Sequence, residues 1–255
     1  MKRPASLPGA RLASRAALAI PALLLAACDA GGPDASAELR PPPGSLLAPA
    51  AEHRQARAPV AALGTHLDGF HFRNGDLASQ QRSQHYCGAV GEEVVQCALF
   101  DGTGPGARMT GVKYVISERL FEGLPEDEKA YWHSQVHPVK AGTLVAPGLP
   151  EDAEHALASK LVRTYAKTWQ LWPGQGDRQA ALPVGVPQLM MGFTKEGQLD
   201  PVLLAERDRS IGVASAEKRR RRADIPEAPP AAGADAWQQG RIAQVQGAVD
   251  ERRRP

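Results

Sequence analysis

Two stretches that cannot build a core bracket this chain. From Asp29 to about Pro59 the sequence is dominated by Ala, Pro and Gly, including Pro41-Pro42-Pro43-Gly44, and shows no apolar periodicity. Such a composition reads as a flexible tether. A second stretch, Pro226 to Asp235, has the same character. One domain is therefore expected between them, over residues 61–225, long enough for a single hydrophobic core. Residues 28–60 are expected to be tether, and residues 226–255 a low-complexity tail. Within that tail Ile242, Val245 and Val249 recur at i, i+3 and i+7, which suggests a short helix over Trp237 to Val249.

Ahead of the tether, residues 1–27 read as a secretory signal. Lys2, Arg3, Arg11 and Arg15 form a positive n-region, and Ala16 to Ala27 is almost entirely Ala, Leu and Ile. That run is shorter than the ~20 apolar residues of a comfortable membrane span. It ends at Leu25-Ala26-Ala27-Cys28, which resembles the bacterial lipoprotein box. The resemblance implies that Cys28 carries the acyl anchor, that membrane lipid is a partner through it, and that the protein sits in the bacterial cell envelope, at the inner or outer membrane.

Charge narrows the remaining classes. The full chain has 30 Lys+Arg and 28 Asp+Glu. Four basic residues and no acidic ones lie in residues 1–27, leaving 26 basic against 28 acidic, a net charge of −2. The apparent basicity belongs to the signal, and no nucleic-acid partner is expected. Removing Cys28 to the anchor leaves Cys87 and Cys97, an even pair that outside the cytoplasm invites a disulfide.

Inside the domain, helix and strand signals mix. Glu93 to Phe100 and Met109 to Ile116 alternate as strands around the turn cluster Asp101-Gly102-Thr103-Gly104-Pro105-Gly106, which predicts a hairpin. Pro125 to Glu128 opens a helical turn leading to Trp132, and Thr143 to Ala146 is a short strand candidate. Leu157, Leu161, Tyr165 and Trp169, four apart, predict a helix over Glu151 to Trp169. Val186 to Phe193 reads as a buried strand, Lys195-Glu196-Gly197 as its turn, and Asp200-Pro201 as an N-cap and first residue of another helix. The expected class is α+β, a single domain with a small, mainly antiparallel sheet and several helices.

Several of these segments together resemble one known family. They are His85-Tyr86-Cys87, Glu92 to Cys97, Gly111 to Ser117, Leu120 to Pro125, Trp132-His133, Ala146 to Pro150, Tyr165-Ala166-Lys167-Thr168-Trp169 and Leu182 to Thr194. In order and spacing this resembles the oil body-associated proteins, over about residues 67–222. The resemblance implies an association with lipid droplets; it brings no catalytic mechanism. Members of that family often carry His where this chain has Gln135 and Gln170.

Histidine and cysteine carry the remaining chemistry. His85, Cys87 and His133 are candidate ligands for a divalent metal, since imidazole and thiolate are the usual zinc donors. The chain has no CxxC pair, HExxH, Gly-x-Ser-x-Gly elbow or P-loop, so no strong metal or catalytic signature is present. The alternative is that Cys87 and Cys97 form a structural disulfide and the histidines are core residues. On the expected helix 151–169, Lys160, Arg163 and Lys167 would form a basic stripe. With Trp169 and Trp172 they are the candidates for contact with a lipid surface. The dense run Lys218 to Arg222 reads as the exposed end of a helix begun near Ser215.

The leading expectation is a non-enzymatic, lipid-anchored protein acting at a lipid surface. Two alternatives stay open: a metal-binding protein or enzyme using the His/Cys cluster, and a lipid or small-molecule carrier with Trp and Met lining a pocket.

Overall fold

Hydrogen-bonded pairing joins six strands into a closed antiparallel barrel. The computed structural model describes residues 58–172 and 182–245. The strands are β1 (Thr65–Arg73), β2 (Asp76–Ala89), β3 (Val94–Phe100), β4 (Met109–Ser117), β5 (His133–Ser134), β6 (Thr164–Gln170) and β7 (Gln188–Met191). They run in the order β4-β3-β2-β1-β7-β6, and β4 pairs with β6 to close the circle. The two-residue β5 lies on the β6 edge beside β7, with His133 opposite Ala166. The domain is α+β as expected, but its sheet is a barrel rather than a small open sheet.

The correction arises from two places. The hairpin β1–β2 was not predicted at all. The helix expected over residues 151–169 stops at Leu161, and Thr164–Gln170 is a barrel strand. The β-branched Thr164 and Thr168 and the aromatic Tyr165 and Trp169 suit a pleated surface. The expected strand at Thr143 to Ala146 shrinks to a single bridge between Asp68 and Val145.

Helices cover the barrel: α1 (Ala58–Ala61), α2 (Glu118–Glu122), α3 (Glu126–Lys129), α4 (Val136–Lys140), α5 (Glu151–Leu161), α6 (Pro201–Ile211) and α7 (Ser215–Arg221). Ser117 caps α2 by accepting from the Leu120 amide, and α2 packs through Phe121, whose ring stacks on Tyr165 at 3.9 Å between centroids. Asp200 caps α6, Pro201 starts it, and Gly212 ends it in the left-handed conformation. One barrel end is plugged: inward-facing Leu67, Cys87, Cys97 and Leu99 pack against Val139, Leu144, Ala158 and Val162 of α4, α5 and their flanks. At the other end lie the β1–β2 and β3–β4 connections and the described ends of the β6–β7 connection. No helix among the described residues is long and apolar enough to cross a membrane.

Residues 226–245, expected as low-complexity tail, are seated on the barrel. The Trp237 ring meets Phe72 at 4.9 Å, in a 3-10 turn at Ala236–Gln239, and Gln244 Nε2 donates to the Asn74 and Leu189 carbonyls. The basic run closes α7, which begins at Ser215 as expected, with Arg219, Arg220 and Arg221 exposed; its members are nonetheless paired. Arg222 is buried and donates to the Val139 and Leu144 carbonyls and to Glu154, while Lys218 pairs with Glu154 and Arg221 with Glu217. The signal, most of the tether and Cys28 lie outside the described residues.

Candidate functional site

A strand turns successive side chains to opposite faces, so pairing register decides what fills a barrel. Ser83 stands opposite Gly69 and His85 opposite Leu67; Lys113 faces Cys97 on one side and Thr168 on the other. Thr168 in turn faces Met190, and His133 faces Ala166. The inward rows thus carry His71, Ser83, His85, Lys113, His133 and Thr168 through the middle of the lumen. All six are buried.

Three imidazoles meet there. The His71 and His85 rings stack 5.0 Å apart, and His71 and His133 meet edge-on at 5.9 Å. Two glycines make the space. A Cβ at Gly69 would sit 2.9 Å from Leu144 and 3.5 Å from His85 Cε1, and one at Gly192 would sit 2.8 Å from His133 Cδ2. Lys113 Nζ donates to Gln135 Oε1 at 3.3 Å. Among the described residues, both ring nitrogens of His85 and of His133 have no hydrogen-bond partner, nor do His71 Nδ1, Gln135 Nε2, Ser83 Oγ or Thr168 Oγ1. Buried polar groups are normally satisfied, so a cluster of orphans calls for a reason. Burial holds all three imidazoles well below their ordinary pKa, with repulsion from Lys113 adding to it, and burial lowers Lys113 from 10.5 to about 7. Near neutral pH the lumen therefore carries uncharged histidines around a lysine poised between its two states.

Cys87 and Cys97 stand opposite each other on β2 and β3 and are joined by a disulfide, S–S 2.01 Å. That removes Cys87 from the expected ligand set of His85, Cys87 and His133, because a disulfide sulfur offers no thiolate to a metal. Among the described residues no three His, Cys, Asp or Glu side chains are disposed to hold a metal ion. Sequence reasoning found His85 and His133 but missed His71 and Lys113. The signal for Lys113 was available: it is the one charge inside the apolar run Met109 to Ile116. His71 alternates with Phe70 and Phe72, which place it on the opposite face from the apolar cluster of those two residues with Leu189, Met191 and Phe193.

The expected basic stripe does not exist. Lys160 is on α5, Arg163 is in the turn after it and pairs with Glu118, and Lys167 is on β6, beside Glu128 and over the Trp132 ring. Trp169 packs beside the Phe70 cluster, and Arg108 lies over Trp172 at 5.3 Å. Above the lumen, at the end opposite α4 and α5, the described residues leave a cleft of ≈ 470 Å³ whose lining includes Arg73, Gln81, Gln170, Trp172, Val184 and Met190. Gln81 donates to Gln170 there at 3.1 Å. Gln135 and Gln170, the two positions where the resemblance implies His in relatives, both line the barrel interior or its mouth.

Residues 57–226 match the model of a family described as a protein of unknown function, DUF1264. The oil body-associated protein 1A of Zea mays is 41% identical over 179 residues, covering 70% of this chain and 74% of that protein. The chain belongs to the oil body-associated protein family. Oil body-associated proteins 1B and 2C of Arabidopsis thaliana are 38% and 37% identical, each covered over 73% of its length, against 70% and 68% of this chain. No solved structure matches. These relatives correct the location expected from the N-terminus: they are oil body-associated proteins of plants, and a bacterial cell-envelope location is not carried forward.

Proposed function

We propose that this chain works at a lipid surface, in a lipid-body-related role shared with its relatives and without catalysis, through the end of the barrel opposite α4 and α5. The observation that carries this reading is an apolar rim. Leu77, Met109, Leu171, Leu182 and Val184 are all exposed, Leu182 at 66% and Val184 at 62%, and all belong to the strand ends and connections of that one end. Exposed large apolar side chains gathered around a cleft mark an interaction surface, whereas scattered ones need no explanation. Lipid, not nucleic acid, is the partner class this reading supplies. Acylation of Cys28 would be a second and separate hold.

Flotation of full-length Cys28→Ala protein with phospholipid-coated triacylglycerol droplets tests the rim without the anchor. Binding that survives high salt is the expected result, because apolar contact is not screened. Leu171→Asp, Leu182→Asp and Val184→Asp together should abolish it while the circular dichroism spectrum is retained. Undiminished flotation of that folded variant would remove the rim from the proposal. A second reading, a lipid or small-molecule carrier, rests on the ≈ 470 Å³ cleft within the rim. It predicts lipid co-purifying in stoichiometric amount.

A further inference from the structure

Between His71, His85, Lys113, His133 and Gln135 lies a void of ≈ 10 Å³. That is room for one water-sized occupant. We infer that this void is a binding site for a small monovalent anion of halide size, held by Lys113 Nζ, Gln135 Nε2 and the ring N–H groups of His85 and His133.

Donor count carries the argument first. A neutral imidazole has one N–H whichever tautomer it adopts. Because both nitrogens of His85 and of His133 are unpartnered, each ring has an N–H that donates to none of the described residues. Gln135 spends its oxygen on Lys113, and its Nε2 is unpartnered as well. An ammonium has three donors, and a single acceptor is provided for it. An occupant that only accepts hydrogen bonds satisfies all of these together.

Charge decides between an anion and a water molecule. Lys113 faces His71 from β1, His85 from β2 and His133 from β5, each of which titrates as a base. The inward neighbours from β3, β6 and β7 are Cys97, Leu99, Thr168 and Met190. Among the described residues no Asp or Glu lines the void. A buried charge without a counter-charge is costly. Water leaves that cost in place, whereas an anion removes it through charge-assisted hydrogen bonds. The void's size selects a single-atom ion over phosphate or a carboxylate head group. Gln81, Gln170 and Met190 of the mouth cleft continue the same inward rows, so the route in runs along the barrel axis.

Thermal unfolding of the full chain at pH 6 tests it, in sodium bromide against sodium gluconate at equal ionic strength. Gluconate is too large for the void. The midpoint should rise with bromide and saturate, as mass action on the folded state requires. At pH 9, where Lys113 is uncharged, the rise should vanish. Lys113→Met should unfold at a bromide-independent midpoint. A wild-type midpoint indifferent to bromide, or an equal bromide response in Lys113→Met, would overturn the proposal. Should Lys113→Met fail to fold, crystals of the unaltered chain grown in bromide decide: an anomalous peak between Lys113 and the imidazoles supports the site, and a lumen without one sinks it.

Discussion

Strand β1 separates two buried polar clusters that are opposite in satisfaction, an outer one built on Asp–Arg pairs and an inner one of histidines around a lysine. On its outer face Asp68 accepts from Arg82 at 2.6 and 2.8 Å, from Gln84 at 2.7 Å and from Arg207 at 3.2 Å. Arg207, wholly buried, also donates to Asp208, to Ser215 and to the Thr143 carbonyl. On its inner face His71 joins the lumenal cluster, where the nitrogens of His85 and His133 find nothing. The outer cluster has a sufficient structural explanation, because it rivets α6 and the start of α7 to the barrel. The inner one has none of that kind. Buried polarity that holds elements together is fully paired; buried polarity left unpaired inside a rigid wall is the better guide to function.

The sharpest way to break the contrast is Arg207→Met. It should cost about 3–5 kcal/mol in urea unfolding, since buried partners lose a charge they were built around. Cys87→Ala with Cys97→Ala, which frees a loop with a separation of 10 residues, should cost about 2–3 kcal/mol by the same measurement. It should leave the His71–His85 stacking region folded. Third comes pH. The folded-state pKa of Lys113 is depressed from 10.5 to about 7, so between those values the unfolded chain binds the extra proton. Stability should therefore rise with pH across that window, by no more than about 1.4 kcal/mol per unit, and Lys113→Met should remove the rise in halide-free buffer. Asp235 acts in a lower window with the opposite sign: burial raises its carboxyl from 3.8 to about 7, so it favours folding at low pH and loses that contribution as pH climbs towards 7. The smallest effect is expected of His85→Leu. Replacing an unpaired imidazole with an apolar side chain of similar bulk should change stability by under about 1 kcal/mol, in either direction. A loss of 3 kcal/mol there would mean that the lumenal cluster is structural after all.

That polar lumen also explains which parts of the fold were legible in the sequence. The hairpin β3–β4, strand β7 and helix α6 could be read because their apolar residues alternate or their caps are explicit. Strand β2 could not. Its sequence, Asp76 to Ala89, places Gln81, Ser83 and His85 inward and the polar Arg82 and Gln84 between them, so no apolar rhythm marks it. Strand β6 was mistaken for helix because a spacing of four is even. Leu161, Tyr165 and Trp169 share a face under a period of 3.6, and Tyr165 and Trp169 share one under a period of 2 as well. With β6 lost, Lys160, Arg163 and Lys167 seemed to form one stripe. The lumenal site was half visible, through His85 and His133. Lys113 stood out as the one charge in an apolar run, but only the register of the closed barrel shows that it and His71 face the same interior.

Closure has a mechanical corollary. A hoop is as strong as its poorest joint, and here the joints are unequal. Strands β1 and β2 pair over most of their shared length, while β1 and β7 share the two pairs Phe72–Met191 and Arg73–Met190. Gln244 straddles that joint by bonding to carbonyls on both sides of it, Asn74 and Leu189. The β1–β7 seam is thus where the wall should breathe. How often the lumen exchanges its contents with solvent becomes a question about a glutamine far along the chain rather than about the histidines themselves.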